Sequence, residues 1–242
     1  MFNPKTEKIE KLAKQYPEII TKLEGIFAGK TNIYIDYANV AYWQNKLGWR
    51  FDIKRLKRFL DSFDNINAVK IYYGTLDGDK RSEELMNAFA KYNYDVKTKP
   101  VKIMRWSIDV SSIESNSPAI LRDFISKPLL RKFKLETIEY LNQQLKELND
   151  QGMKYIEVRK CNFDVEIGRD MLLDFERNGV DTFILWSGDS DFADPISQLI
   201  DDKKNVHIFA TARRISRELS ETGVQMFDIK KIKEFICRNK DL

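Results

Sequence analysis

The 242-residue chain contains one histidine, His207, and two cysteines, Cys161 and Cys237, far apart and without metal-ligand spacing. So few cysteines exclude a disulfide framework and suit a reducing, cytoplasmic compartment with both thiols free. Missing as well is any apolar run near the roughly 18 residues a membrane span requires, and the opening Met1-Phe2-Asn3-Pro4-Lys5 lacks a signal-peptide h-region. No membrane partner is therefore expected. Repeats and low-complexity tracts are absent too. Charge of one sign is scarce in net terms: 41 basic residues face 37 acidic ones, leaving +4, a balance that permits a nucleic-acid partner without demanding one. The 43% hydrophobic content is ample for the core of one large domain.

What is present is an alternation of β-like and helical patterns. Residues 5–29 carry a broken apolar stripe (Ile9, Leu12, Ile19, Ile20, Leu23, Ile26) that Pro17 divides, with Gly29 as a stop. We read residues 1–30 as a helical extension. The run 32–36 reads as a strand ending in Asp36, followed by a helix from about 52 to 63, a strand at 68–74, a helix at 80–92 and a strand at 94–98. The stretch from about 99 to 153 is irregular and reads as an insertion within a 31–242 domain. After it come β-like alternation at 155–159, a helix at 164–178, a strand at 182–186, a short helix with Ile196 and Leu199, a strand at 205–210, a helix at 213–220 and a last helix near 229–237. Strands separated by helices of this length predict the α/β class, with a mainly parallel sheet covered on both faces.

The apolar run Phe183-Ile184-Leu185-Trp186 ends in Ser187-Gly188-Asp189-Ser190-Asp191. It thus delivers two carboxylates to the C-terminal end of a buried strand, where ligands of open α/β sheets bind. Asp36 and Asp164 fall at other strand ends or helix starts. Carboxylates gathered along one sheet edge repel one another; they either take up protons or bind a hard cation, with Mg²⁺ or Mn²⁺ the natural counter-charge. An ion so held can orient an attacking water, lower its pKa and neutralise charge on a phosphodiester. Taken singly, Asp36 or Asp164 also suits a plain turn or helix cap, and Asn39 a plain turn residue. Asp189 with Asp191 supplies more carboxylates than one cap needs.

Three motifs, Ile35-Asp36-Tyr37-Ala38-Asn39-Val40, Phe163-Asp164-Val165 with Asp170 beyond it, and Ser187-Gly188-Asp189-Ser190-Asp191-Phe192, resemble in order and spacing those of the NYN-domain family, a branch of the PIN-like ribonucleases. The resemblance spans roughly 31–98 and 156–232. It implies a three-layer α/β/α sandwich around the sheet, an acidic Mg²⁺ or Mn²⁺ site, and endonucleolytic cleavage of RNA. Carried over by position, Asp36, Asp164, Asp189 and Asp191 would be the metal-holding acids, with Asn39 beside the metal and Ser187 as a supporting hydroxyl. Asp170 matches an acid that recurs in the helix. The chain departs from the pattern at Ala38, where the family often has glycine, and at Trp186, where a smaller aliphatic residue is usual.

An acidic pocket repels RNA, so cations elsewhere must hold it. Lys102, Arg105 and Trp106 form one basic stretch with an aromatic, and Arg213 and Arg214 another, both suited to single-stranded RNA. A homodimer stays open, as do two other functions: a catalytically silent PIN-like module binding RNA or protein, and a haloacid-dehalogenase-type phosphatase. The phosphatase lacks its first motif, since Asp36 is followed by Ala38 where a second aspartate would stand.

Overall fold

Two stretches set the architecture because every residue in them is buried: Thr31–Asp36 (β1) and Thr182–Trp186 (β6). A strand with no solvent face must lie in the middle of a covered parallel sheet. In the computed structural model, which describes residues 1–211 and 215–238 together with the side chains other than Asn45 and Lys46, these two strands are neighbours. The chain falls into two units, one formed by 1–100 with 161 onward, the other by Val101–Lys160.

The first unit opens with α1 (Glu7–Gln15) and α2 (Pro17–Ile26), separated at Pro17, which starts the second helix at the position where its missing N–H costs nothing. Ile9, Ile20, Leu23, Ile26 and Phe27 bury themselves in the main core. Gly29 then takes a positive φ, and a side chain there would collide with Asp181, whose Oδ2 accepts from the Lys30 backbone N–H at 2.9 Å. After β1 come α3 (Tyr37–Leu47), α4 (Ile53–Leu60), β2 (Ile66–Thr75), α5 (Lys80–Lys91) and β3 (Asp95–Pro100).

The second unit holds β4 (Lys102–Ser107), the single turn α6 (Lys127–Leu130), α7 (Leu135–Asp150) and β5 (Tyr155–Lys160). Its own small core is Leu121, Leu130 and Ile138, with Ile125, Phe133, Leu141 and Leu145 packed around them. The strand expected at 155–159 does not rejoin the parallel sheet. As β5 it pairs antiparallel with β4, from Lys102 opposite Lys160 to Ser107 opposite Tyr155.

The first unit resumes with α8 (Asp164–Asn178), β6, α9 (Ala193–Asp201), β7 (Asn205–Ala210), α10 (Arg217–Glu221), β8 (Gln225–Asp228) and the short α11 (Lys233–Ile236). Its six strands run parallel in the order β3-β2-β1-β6-β7-β8. The sequence reading missed α3, which begins with no loop after β1, and the four-residue β8. The last helix expected near 229–237 resolves into a 3₁₀ turn and one α-turn.

Phe183, Ile184, Leu185 and Trp186 of β6 have no exposed surface, each contributing about 1.5–3 kcal/mol by burial. Trp186 stacks on Phe209 at 5.6 Å between ring centres, so the bulky residue before the acidic motif is a core residue. Among the described residues no helix is long and apolar enough to cross a membrane.

Candidate active site

Successive strands step outward from β1 on one side and from β6 on the other. The direction of winding therefore reverses between β1 and β6. A crevice opens at such a switch point beyond the strand ends. Ile35 lies opposite Trp186, which brings the residues that follow them, Asp36 and Ser187, side by side.

Asp36 serves α3 as its N-cap: Oδ1 accepts from the backbone N–H groups of Ala38 (3.1 Å) and Asn39 (3.4 Å), and Oδ2 accepts from Asn39 Nδ2 at 2.6 Å. Ser187, wholly buried, donates its hydroxyl to Asp36 Oδ2 at 3.5 Å and accepts the Asp189 backbone N–H at 3.3 Å. Asp189 Oδ1 in turn accepts from the backbone of Asp191, closing a 3₁₀ turn. Asn39 and Ser187 thus fix the carboxylate of Asp36. Burial raises the pKa of Asp36 despite the donors from Asn39 and Ala38, and nearby Asp189 adds to the rise.

Asp164 enters from the first turn of α8, its backbone N–H donating to Asn162 Oδ1 at 2.8 Å. Its Oδ2 is buried and finds no hydrogen-bond partner among the described residues. Burial, then contact with Asp191 and the charges of Asp189 and Asp191, push its carboxyl up to about 6, against a lowering by Asn162. None of Asp36, Asp164, Asp189 and Asp191 makes an ion pair among the described residues.

One neighbour was not among the site residues expected from sequence. Glu166, two residues beyond Asp164, binds Lys99 Nζ at 2.7 Å, which lowers its pKa, and its other oxygen is buried without a partner among the described residues. The ammonium of Lys99 also stands over the Phe163 ring, 4.6 Å from its centre. The signal for Glu166 was its place two residues after Asp164 in a helix's first turn, where an acid is normally read as a favourable partner for the helix dipole.

An all-carboxylate donor set with an orphaned buried oxygen and no counter-cation among the described residues has the chemistry that suits a hard divalent ion. The geometry is looser than the chemistry. Among the described residues no three His, Cys, Asp or Glu side chains converge as a ready-made ligand set. The acids meet in neighbouring pairs, Asp36 with Asp189 and Asp164 with Asp191.

The other expected residues lie elsewhere. Lys102, Arg105 and Trp106 are exposed on β4 of the second unit. Arg213 and Arg214 are outside the described residues. Asp170 is buried and accepts the Tyr72 hydroxyl at 2.9 Å and the Arg169 guanidinium at 3.0 Å. It braces the fold behind the site.

Residues 126–230 match the family model described as the NYN domain. This segment of the chain is similar to the NYN domain. Asp164, Asp189 and Asp191 fall inside the match to the NYN domain and Asp36 outside it. NYN domains are PIN-like and usually nucleases. The chain is 26% identical over 207 residues, 84% of its length and 86% of the relative's, to the low amplitude and bright protein LabA of Synechococcus elongatus. A crystal structure of a protein of unknown function from Vibrio parahaemolyticus superposes with a TM-score of 0.51 at 16% identity, covering 86% of this chain and 96% of that one. At that identity the likeness shows the α/β/α fold alone.

Proposed function

We propose that this protein is a metal-dependent endoribonuclease that hydrolyses phosphodiester bonds in single-stranded RNA. The observation that carries the reading is that Asp36 neighbours Asp189, and Asp164 neighbours Asp191, beyond the ends of β1 and β6, with none of the four in an ion pair among the described residues. Asp36, Asp164, Asp189 and Asp191 would hold Mg²⁺ or Mn²⁺, which when bound supplies the positive charge that lowers the pKa of water and offsets charge on a scissile phosphate. The rest falls to the chain itself. Asn39 and Ser187 keep Asp36 in one rotamer, so its cap bonds to α3 double as an aiming device. The turn at 188–191 sets Asp189 and Asp191 one step apart, and the Ser216 backbone N–H holds that turn by donating to the Gly188 carbonyl at 2.9 Å. The chain's single histidine, His207, is half-buried on β7 with its pKa lowered by burial. We assign it no part in proton transfer.

The test is cleavage of a labelled single-stranded RNA by wild type, Asp36→Asn and Asp189→Asn, each with Mn²⁺, with Mg²⁺ and with chelator. The expected result is cutting by metal-loaded wild type only, with both variants folded. A wild-type rate from Asp189→Asn would sink the assignment. RNA binding without cleavage by all three proteins would replace it with a silent binding module.

A further inference from the structure

The β4–β5 ribbon is solvated where a sheet normally is not. All of Lys102–Ser107 is exposed, as are Tyr155, Glu157, Arg159 and Lys160, so both faces of the ribbon meet solvent. Antiparallel sheets usually bury one face. The side chains left out in water include Ile103, Met104, Trp106 and Tyr155. Charge is concentrated here as well: residues 101–160 hold 11 basic and 8 acidic residues, so they carry +3 of the chain's +4.

Period-two alternation assigns the faces. On one lie Lys102 opposite Lys160, Met104 opposite Val158, and Trp106 opposite Ile156. On the other, Arg105 is already engaged, 3.3 Å from Glu157 and stacked over the Tyr155 ring at 4.5 Å. Like charges directly opposite one another destabilise a sheet. Yet Lys102 and Lys160 face each other, and neither makes an ion pair among the described residues, nor does Arg159 beside them. Trp106 is held at one edge by Phe124, 5.8 Å between ring centres, with more than a third of its surface open. Uncompensated lysines, an apolar floor at Met104 and Val158, and a braced indole four residues along the strand, roughly 13 Å away, together make a short track for a chain of phosphates and flat bases.

We propose that this face of the ribbon is a second nucleic-acid contact, binding single-stranded RNA through phosphates at Lys102 and Lys160 and a base stacked on Trp106. It deepens the ribonuclease reading, resting on it for the choice of RNA, and it separates Trp106 and Lys102 from Arg105, whose side chain is committed to the opposite face.

Binding of a fluorescent single-stranded RNA by the full chain in chelator, where no cleavage is expected, tests it by anisotropy across a salt series. Lys102→Ala with Lys160→Ala should weaken binding about tenfold near 0.1 M salt and flatten the salt slope by about 1.4, roughly 0.7 for each lost phosphate contact. Trp106→Ala should weaken binding about tenfold with little change in slope, and Trp106→Phe should restore part of it. The lysines have no ion-pair partner among the described residues, so their removal tests the ribbon even if Trp106→Ala fails to fold. Wild-type affinity and slope in the double lysine variant would overturn the inference. So would a concentration-dependent doubling of mass that Trp106→Ala abolishes, which would give the face to a second copy. Asp189→Asn, carried in parallel, should bind RNA like wild type while losing cleavage, so failure of the ribbon and failure of the nuclease reading register separately.

Discussion

One helix carries acids of two kinds. Near the C-terminal end of α8, Asp174 is buried under the sheet and accepts from Asn32, Tyr34, Lys70 and Asn178, with the Lys70 ammonium at 2.7 Å. Burial alone would raise its pKa, but these donors hold it below the ordinary carboxylate value. At the N-terminal end Asp164 faces Asp191, has a buried oxygen without a donor, and is pushed up to about 6. Both side chains give up water. The difference lies in what replaces it, and it separates a carboxylate that stabilises the fold from one held at a cost.

The comparison breaks most visibly at Asp174. Asp174→Asn should cost about 3 kcal/mol in urea unfolding, because it strands the Lys70 ammonium, itself largely buried, without its counter-charge. Lys70→Met with Asp174→Asn should recover part of that loss; no recovery would mean that the ion pair is not what the other donors are arranged around. A smaller effect is expected at the other end of the helix. Asp164→Asn removes repulsion, so in chelator it should raise stability by roughly 1 kcal/mol, after allowance for the part of the side chain that water screens. A destabilised Asp164→Asn would make this acid structural.

The two ends should also titrate in opposite directions. The folded pKa of Asp174 is depressed, so its stabilisation is complete above the unfolded value of about 3.9 and fades as pH falls through the lower folded value. The folded pKa of Asp164 is raised, so its penalty is present at neutral pH and is relieved as pH drops below about 6. Metal-free protein should therefore gain slightly in stability from pH 7.5 to 5 before losing it in stronger acid, and Asp164→Asn should remove the gain. The finest effect concerns orientation. Asn39→Ala frees Asp36 Oδ2 of its 2.6 Å donor and should lower cleavage about 10- to 100-fold, with the loss read in rate at saturating Mn²⁺.

Much of this was legible because apolar runs and acids were sharply bounded in the chain. Residues 182–186 announced a buried strand, and the acids after it lie where that strand ends. Asp36 shows the limit: the residue that caps α3 is also the one proposed as a site acid, so weighing one reading against the other could not decide it. Tyr37–Leu47 escaped notice because the helix starts directly from the strand, without a turn signal, although Val40 and Trp43, three residues apart, share one buried face. Alternation at 155–159 identified a strand correctly but says nothing about its partner, since the period of two is common to every sheet. Asp174 was invisible as a structural acid because its donors come from strands more than a hundred residues away in sequence.

The chain leaves the first unit after Pro100 and re-enters it at Cys161, whose sulfur lies 4.0 Å from the Lys99 carbonyl oxygen. Inside the second unit the outgoing and returning strands are paired from Lys102 and Lys160 onward. Exit and entry thus share one doorway. A change in the length of residues 101–160 therefore need not alter the order or register of the parallel strands, because the first unit sees only the two ends of that stretch.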